Sequence, residues 1–384
     1  MISLVHHDRS YGVPMTWPDP APRPPFGYLD AVGGQPLLPA AAAAWQAAAA
    51  QGWADPARLH GPGRRAGLLL DTARASLAGH LGIRPEDLFL TSSGPTAVQA
   101  AIRGLGLGGR IVLGAVESMA VQEPAGGLGR EVAIVPVDDI GRIDLQRWQE
   151  ALAPDTSLAC LQAANPEVGT RQPVQEAAAA CREAGVPLLV HAVQVLGRDG
   201  VPDHWDLLAA SARDFGGPAG VGMLAVRPGL GWRPDQSPDR GWVSGFPDIP
   251  GAAAAAAAWE YLEPEREHEA ARGFELIARL RRDLPAAVDG LAVVGADVDR
   301  LPHILTMVID GVVGEALVHE LSRSGLSAAS GSACTNDARM PSQVLMAMGL
   351  RDRTSLRISL PLGVDAESVD AFVAELPSAV GRLR

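Results

Sequence analysis

SLACLQAANPEVGTRQPVQEAAAACREAGVPLLV, residues 157–190, sets two short apolar runs, Ser157–Gln162 and Pro187–Val190, on either side of a long connection with an alanine-rich helical stretch. A hairpin needs only a few linking residues, so strands joined through a crossover of this length pair in parallel. Runs that are apolar throughout, instead of alternating, belong to strands covered on both faces. The same rhythm extends upstream through Leu88–Thr91, a helix from Thr96, Arg110–Leu113 and Val132–Val137, preceded by helices over Leu37–Gln51 and Arg64–Leu81. The turn Gly104–Gly109 follows a helix and not a strand, so its glycines read as a turn and not as a dinucleotide loop. Downstream of Pro250 the alanine run Ala252–Ala258 leads into one long helix, Trp259–Leu284. A strand Ile304–Ile309, a helix Gly314–Ser324, a strand Ser355–Leu360 and a final helix from Ala366 follow. The pattern predicts an α/β fold: a large domain over residues 28–258 with a mostly parallel sheet, then a linking helix and a small C-terminal α+β domain over 259–384. Residues 1–27, with Pro18, Pro20, Pro22, Pro24 and Pro25, suit an extended arm.

Composition narrows the function. The chain has 384 residues, is 47% hydrophobic and 20% charged, and carries a formal net charge of -12. No basic run exists to neutralise phosphates, which argues against a nucleic-acid partner. No long apolar stretch and no charged-then-apolar start point to a membrane or to export, so a cytoplasmic protein is expected. Three cysteines, Cys160, Cys181 and Cys334, exclude a disulfide framework, and no spacing suggests a metal site. The pair His6-His7 would point apart in an extended arm. Lysine does not occur at all: the 32 basic residues counted as Lys and Arg are all arginines. No lysine imine can form anywhere in the chain.

The segment Ser330-Gly-Ser-Ala-Cys-Thr335 places a thiol among small residues, which leaves it accessible and suited to a nucleophile that swings between sites. This loop closely resembles the nucleophile loop of the cysteine desulfurases of the iron–sulfur assembly type, within the class V aminotransferase family. Ordered matches run from Tyr28-Leu-Asp30 through His60, Thr91-Ser-Ser-Gly94, Asn165 with Glu167-Val-Gly-Thr170, Ala192-Val-Gln194, Gly217-Pro218, Gly245, Pro250-Gly251 and Arg357. The resemblance implies the fold-type I pyridoxal-phosphate (PLP) architecture with a seven-stranded sheet. It also implies a homodimer with sites at the interface, and removal of sulfur from cysteine as a persulfide on the loop thiol.

Departures from the family's pattern fall on the cofactor positions. Where the resemblance places the imine lysine, after a Ser-Ala-His stretch, this chain has Ser211-Ala-Arg213-Asp214. The aspartate that would pair with the pyridine nitrogen is His191, and the histidine that would stack on the ring is Ser118. A phosphate-holding threonine is Pro95, one lent by a partner subunit is Phe246, and the second asparagine of the Asn-Asn-Glu run is Pro166. Retained are the candidate persulfide carrier Cys334 and the candidate substrate-binding residues Arg357, matching a carboxylate-holding arginine, Gln194 and Asn165; His191 is a further candidate acid or base. The sequence thus predicts a desulfurase-like protein without PLP-dependent catalysis and with no cofactor expected. Its role would be that of a sulfur-relay or partner-binding scaffold, homodimeric or paired with an active desulfurase or a sulfur acceptor. Two alternatives are a PLP-independent enzyme using Cys334 and Arg357 on a small carboxylate, and a residual desulfurase holding PLP noncovalently.

Overall fold

The computed structural model describes residues 24–106, 108–127, 129–234, 238–331, 342–350 and 355–384. In chain order the first elements are helices α1 (Pro39–Gln51) and α2 (Gly61–His80), strand β1 (Leu88–Thr91), α3 (Gly94–Gly104), β2 (Arg110–Gly114), α4 (Met119–Gly126) and β3 (Val132–Val135). Next come α5 (Leu145–Ala151), β4 (Thr156–Gln162), α6 (Val174–Ala184), β5 (Leu188–His191), β6 (Leu207–Ser211), β7 (Gly222–Val226) and α7 (Ile249–Leu262). The rest is α8 (Arg266–Ala287), β8 (Leu291–Val294), β9 (Ile304–Ile309), α9 (Gly314–Arg323), β10 (Ala329–Ser330), α10 (Gln343–Ala347), β11 (Ser355–Ser359) and α11 (Ala366–Leu383). The chain gathers into two compact units, each discontinuous in sequence: Leu37–Gly106 with Leu207–Glu265, and Arg23–Pro36 with Leu107–Asp206 and Arg266–Arg384.

In the first unit β7 lies between β1 and β6 and runs antiparallel to both. Helix α7 packs against α1 and α2. Its alanine run is buried at nearly every position, because a helix this small in section can approach its neighbours on several sides. The Asp248 side chain starts α7 by accepting from the Gly251 amide at 2.9 Å. Trp259 closes the packing, stacked on His80 with ring centroids 5.3 Å apart and tilted against Phe215 at 5.0 Å. The single helix expected over Trp259–Leu284 is broken here: α7 ends at Leu262, a 3-10 turn spans Glu263–Glu265, and α8 begins at Arg266. Pro264 has no amide hydrogen to donate and its ring crowds the preceding turn, which is reason enough for the break.

In the second unit the order β5-β4-β2-β3 is parallel throughout. Every residue of β4 is buried, as the run Ser157–Gln162 predicted. A four-stranded antiparallel sheet, β10-β11-β9-β8, follows in the C-terminal part. Its apolar face forms a core with α8, α9 and α11 around Ile277, Leu280, Leu317, Leu356 and Phe372. Seven strands in the α/β part and a smaller α+β part at the C-terminus are the architecture expected. Strands β6, β7 and β8 were not anticipated: β6 reads LLAAS, as compatible with helix as with strand, and β8 is a short run. No helix among the described residues is long and apolar enough to cross a membrane.

Gly222, on β7, marks the closest approach of a glycine to other backbone in the first unit. A Cβ there would stand 2.0 Å from the Ser93 carbonyl oxygen and 2.4 Å from Thr91 Oγ1, so backbone would have to move. A Cβ on Gly79, in α2, meets nothing within 4 Å. In thermal or urea unfolding, Gly222→Ala is expected to cost about 1–3 kcal/mol by overpacking. Gly79→Ala is expected to be neutral or to stabilise by up to about 1 kcal/mol, through helix propensity. The opposite ranking would contradict the packing described.

Candidate functional site

Parallel strands deliver their chemistry at their carboxyl ends. In the second unit β2 ends at Gly114, β4 at Gln162 and β5 at His191, and the last two residues are register partners. The turn after β2 is bound tightly to the end of β4. Gln162 Nε2 and Asn165 Nδ2 both donate to the Val116 carbonyl, at 2.8 and 3.2 Å. The Gln162 amide donates to the Glu117 carboxyl. Glu117 is buried, and desolvation pushes its pKa up to about 8, so at neutral pH it is a neutral acid inside the fold.

His191 is buried and faces Ser118, with Nδ1 3.3 Å from the Ser118 hydroxyl. Burial lowers its pKa to about 4, so the ring is neutral at physiological pH. Asn165 is fully buried and committed to the fold: besides its bond to Val116, its side-chain oxygen accepts from the amides of Glu167 and Val168 at 2.8 and 2.9 Å. Gln194 sits at a left-handed φ of 60°, and its side-chain oxygen lies 3.1 Å from His303 Nε2. Arg357, on β11, is buried and donates to Asp30 at 3.0 Å, while its Nε has no partner among the described residues. His303 carries no signal in the sequence, and Glu167 is marked there only as part of a matched run, with no role. Desolvation holds His303 well below the usual imidazole range, and the positive charges of Arg198, Arg300 and Arg357 push the same way. Both residues become legible only once β9, β11 and the turn after β4 are folded together.

Cys334 lies outside the described residues. The residues flanking segment 332–341 converge on Glu167. Ser342 Oγ donates to Glu167 Oε2 at 2.6 Å, and a Cβ on Gly331 would meet Glu167 Oε1 at 3.1 Å and Ser355 Oγ at 2.2 Å. Burial raises the Glu167 pKa to about 7, against the opposing pull of Ser342 and Arg357. The other two thiols are poor nucleophiles: Cys160 and Cys181 are buried, and desolvation pushes the first well above its ordinary value and the second up to about 12.

The first unit holds the remaining candidates. Asp214 is buried in the turn after β6, with Arg213 Nε 3.9 Å from its carboxylate. Pro95 occupies the first turn of α3, where the Ser93 side chain caps the Thr96 amide at 3.2 Å and proline's lack of an amide costs nothing to the helix. Phe246 is exposed, next to Gly245 at a φ of 80°.

The aminotransferase class V family pattern matches residues 28–372. A cysteine desulfurase of Cereibacter sphaeroides is 33% identical over 377 residues, covering 93% of this chain and 96% of the relative. A cysteine desulfurase of Bradyrhizobium diazoefficiens is 35% identical over 349 residues, covering 85% and 87%. Among solved structures, a NifS-like protein superposes with a TM-score of 0.86 at 26% identity, over 93% of this chain and all of that one.

This kinship corrects one expectation. The expectation of no cofactor is overturned by the family itself, which works with PLP and which the chain matches over nearly its whole length. What the residues restrict is the manner of holding it. With no lysine there is no ε-amine for an imine. Buried Asp214 offers a carboxyl where the resemblance puts that amine, and His191 a neutral ring where it puts a carboxylate. These residues do not fit an imine-held cofactor.

The buried acid gives a test of the electrostatics. Glu117 keeps its proton in the fold up to about pH 8, while in the unfolded chain it releases it near 4.5. Stability from this group is therefore full below pH 4.5 and is lost as pH rises toward 8, by about 1.4 kcal/mol per pH unit at most. Glu117→Gln keeps an acceptor for the Gln162 amide and cannot ionise. Melting curves of the two proteins should diverge in favour of the variant between pH 4.5 and 8 and run parallel above. Curves that stay parallel throughout would mean Glu117 ionises normally.

Proposed function

The chain belongs to the aminotransferase class V family, and we propose that it is a cysteine desulfurase-like protein that has lost lysine-dependent catalysis and uses Cys334 to take up and pass on sulfur. The observation that carries this reading is the complete absence of lysine in a chain that keeps the loop cysteine. The desulfurase reaction needs an amine to hold the aldehyde and to move protons on the substrate carbon. Neither Asp214 nor neutral His191 supplies one. A thiol on a small-residue loop needs no such help to accept sulfane sulfur from a persulfide donor: the thiolate attacks the outer sulfur, and the donor thiolate leaves. The burial and raised pKa values of Cys160 and Cys181 leave Cys334 as the thiol suited to this exchange.

The partner in this reading is an active desulfurase or a sulfur acceptor, and the protein is a homodimer. Support for an association surface comes from the first unit, where Trp53, Leu59, Leu68 and Phe246 are all more than 60% exposed. Apolar side chains this large, exposed within one unit, fit a surface covered by another copy. Light scattering of the full chain should give twice the monomer mass, and Leu59→Arg with Leu68→Arg should reduce it to the monomer. A monomeric parent protein would remove the dimer from the reading.

Sulfur transfer is tested with an active cysteine desulfurase charged with sulfur-labelled cysteine. Label released by dithiothreitol is expected on this chain and absent from Cys334→Ser. Equal labelling of that variant, or none of the parent protein, would sink the relay. Alone with PLP and cysteine, the chain is expected to release no sulfide above background, and Asp214→Lys is not expected to restore release, since Pro95, Ser118 and His191 would be unchanged. Sulfide from the parent protein would show that catalysis persists without a lysine.

A further inference from the structure

Glu269 and Arg272 stand one turn apart on α8, a spacing at which opposite charges ordinarily pair. Here each turns elsewhere. The Glu269 carboxylate accepts from the Gly363 amide at 3.0 Å, while Arg272 donates to the Val364 carbonyl and makes no ion pair among the described residues. Both side chains line a cavity of about 310 Å³, a volume that counts the space open at its mouth, together with Arg198, Pro302, His303 and Leu360. We propose that this cavity holds a halide-sized monoanion, clasped by the Arg198 and Arg272 guanidiniums and the His303 ring.

The charge of the region is out of balance on the positive side. The cavity lining has two guanidiniums and one carboxylate, and that carboxylate is directed at a backbone amide. Arg198 is buried and donates to the neutral Gln35 amide oxygen at 2.7 Å. Burial, and then the positive charges of Arg198, Arg300 and Arg357, hold the His303 ring below its ordinary range, so three guanidiniums act on one ring that lines the cavity. Arg357 is answered by the Asp30 carboxylate. Arg300 is buried, donates to the Ile304 carbonyl at 2.5 Å and makes no ion pair among the described residues. Cations withdrawn from water without a counter-charge are costly, and a bound anion supplies the charge that the side chains leave out.

The polar groups and the space available fit a single-atom ligand. His303 is 1% exposed; its Nε2 meets the Gln194 side chain at 3.1 Å, and its Nδ1 has no partner among the described residues. A buried ring nitrogen in that state calls for a ligand. With its hydrogen on Nδ1 the neutral ring donates to the anion, and a half-turn of the Gln194 amide gives Nε2 a donor. Pro302 and Pro361, also at the cavity, have no amide hydrogen, so guanidiniums and imidazole are the groups left to bind. The inner space is about that of one water molecule, which suits a single-atom anion better than a carboxylate or phosphate. Water fits the same space but brings no charge. None of these four polar side chains stands at a position that the resemblance gives to cofactor or substrate.

The test uses chloride as the probe and the full chain as the protein. Chloride nuclear magnetic resonance line widths are titrated at constant ionic strength with gluconate as the balancing anion, and melting temperatures are recorded over the same series. Excess line width that bromide displaces, and a melting temperature that rises with chloride, are expected. Arg272→Gln, which keeps a donor for the Val364 carbonyl, should weaken chloride binding by about tenfold or more. Arg281→Gln, which removes the same charge from α8 at an arginine paired with Asp297, should leave it unchanged. No displaceable line width in the parent protein, or equal losses in the two variants, would overturn the proposal, the second by showing a diffuse field in place of a site. Should Arg272→Gln fail to fold, Glu269→Gln gives a reading of opposite sign: it keeps an acceptor for the Gly363 amide, removes the one carboxylate at the cavity and should tighten binding by about threefold or more. Unchanged or weaker binding in that variant would count against the site. All titrations are made without a desulfurase and repeated in Cys334→Ser, so their outcome is independent of the sulfur-relay reading.

Discussion

Parallel pairing of β2, β4 and β5 is the constraint from which the second unit's chemistry follows. Once three strands run in one direction with both faces covered, each must return through a crossover, and every turn that leaves a carboxyl end opens on the same side of the sheet. Ser118, Asn165 and His191 are thereby collected from residues up to about seventy positions apart, with no need for local sequence proximity. The hydrogen bonds from Gln162 and Asn165 to one carbonyl, Val116, then lock the turn after β2 to the end of β4. A slip of one residue in either strand would turn each side chain to the opposite face and dissolve the arrangement.

Desolvation decides what these residues can do. Glu117, His191 and His303 are buried and Glu167 is half-buried, and the pKa values of all four move toward the neutral form. The interior around the strand ends is therefore a place of neutral hydrogen bonding, with arginine as the charged exception. Arg357 is anchored to Asp30, and it both depresses His303 and opposes the upward shift of Glu167. The resemblance implies a carboxylate-holding role for this guanidinium, and its partner among the described residues is the Asp30 carboxylate.

The family's chemistry rests on an amine that this chain does not possess. The likeness nevertheless extends over more than nine-tenths of the chain, whose buried strands and alanine-rich helices make up the core. Asp214 and Pro95 have local settings of their own. The first is buried beside Arg213, and the second is accommodated in a helix turn that has no use for its missing amide.

Much of the fold was legible from residue order alone. Leu88–Thr91 and Ile304–Ile309 are strands at the predicted bounds, and the crossover between Ser157–Gln162 and Pro187–Val190 gave the parallel direction, because apolar runs and linker lengths are local properties. The absence of lysine and the presence of Cys334 are equally sequence facts. Pairing partners, burial and pKa are not local. The contact of Ser118 with His191 joins residues 73 positions apart, that of Gln194 with His303 spans 109, and the gathering of Gly331 and Ser342 on Glu167 crosses more than 160. Even the break at Pro264, visible in the sequence, was masked by a helical pattern of apolar and charged residues on either side of it. Sequence determined which groups the protein owns and which it lacks. Only the tertiary structure decided which of them lose water and face one another, since desolvation and hydrogen bonding depend on neighbours that the chain brings together by folding.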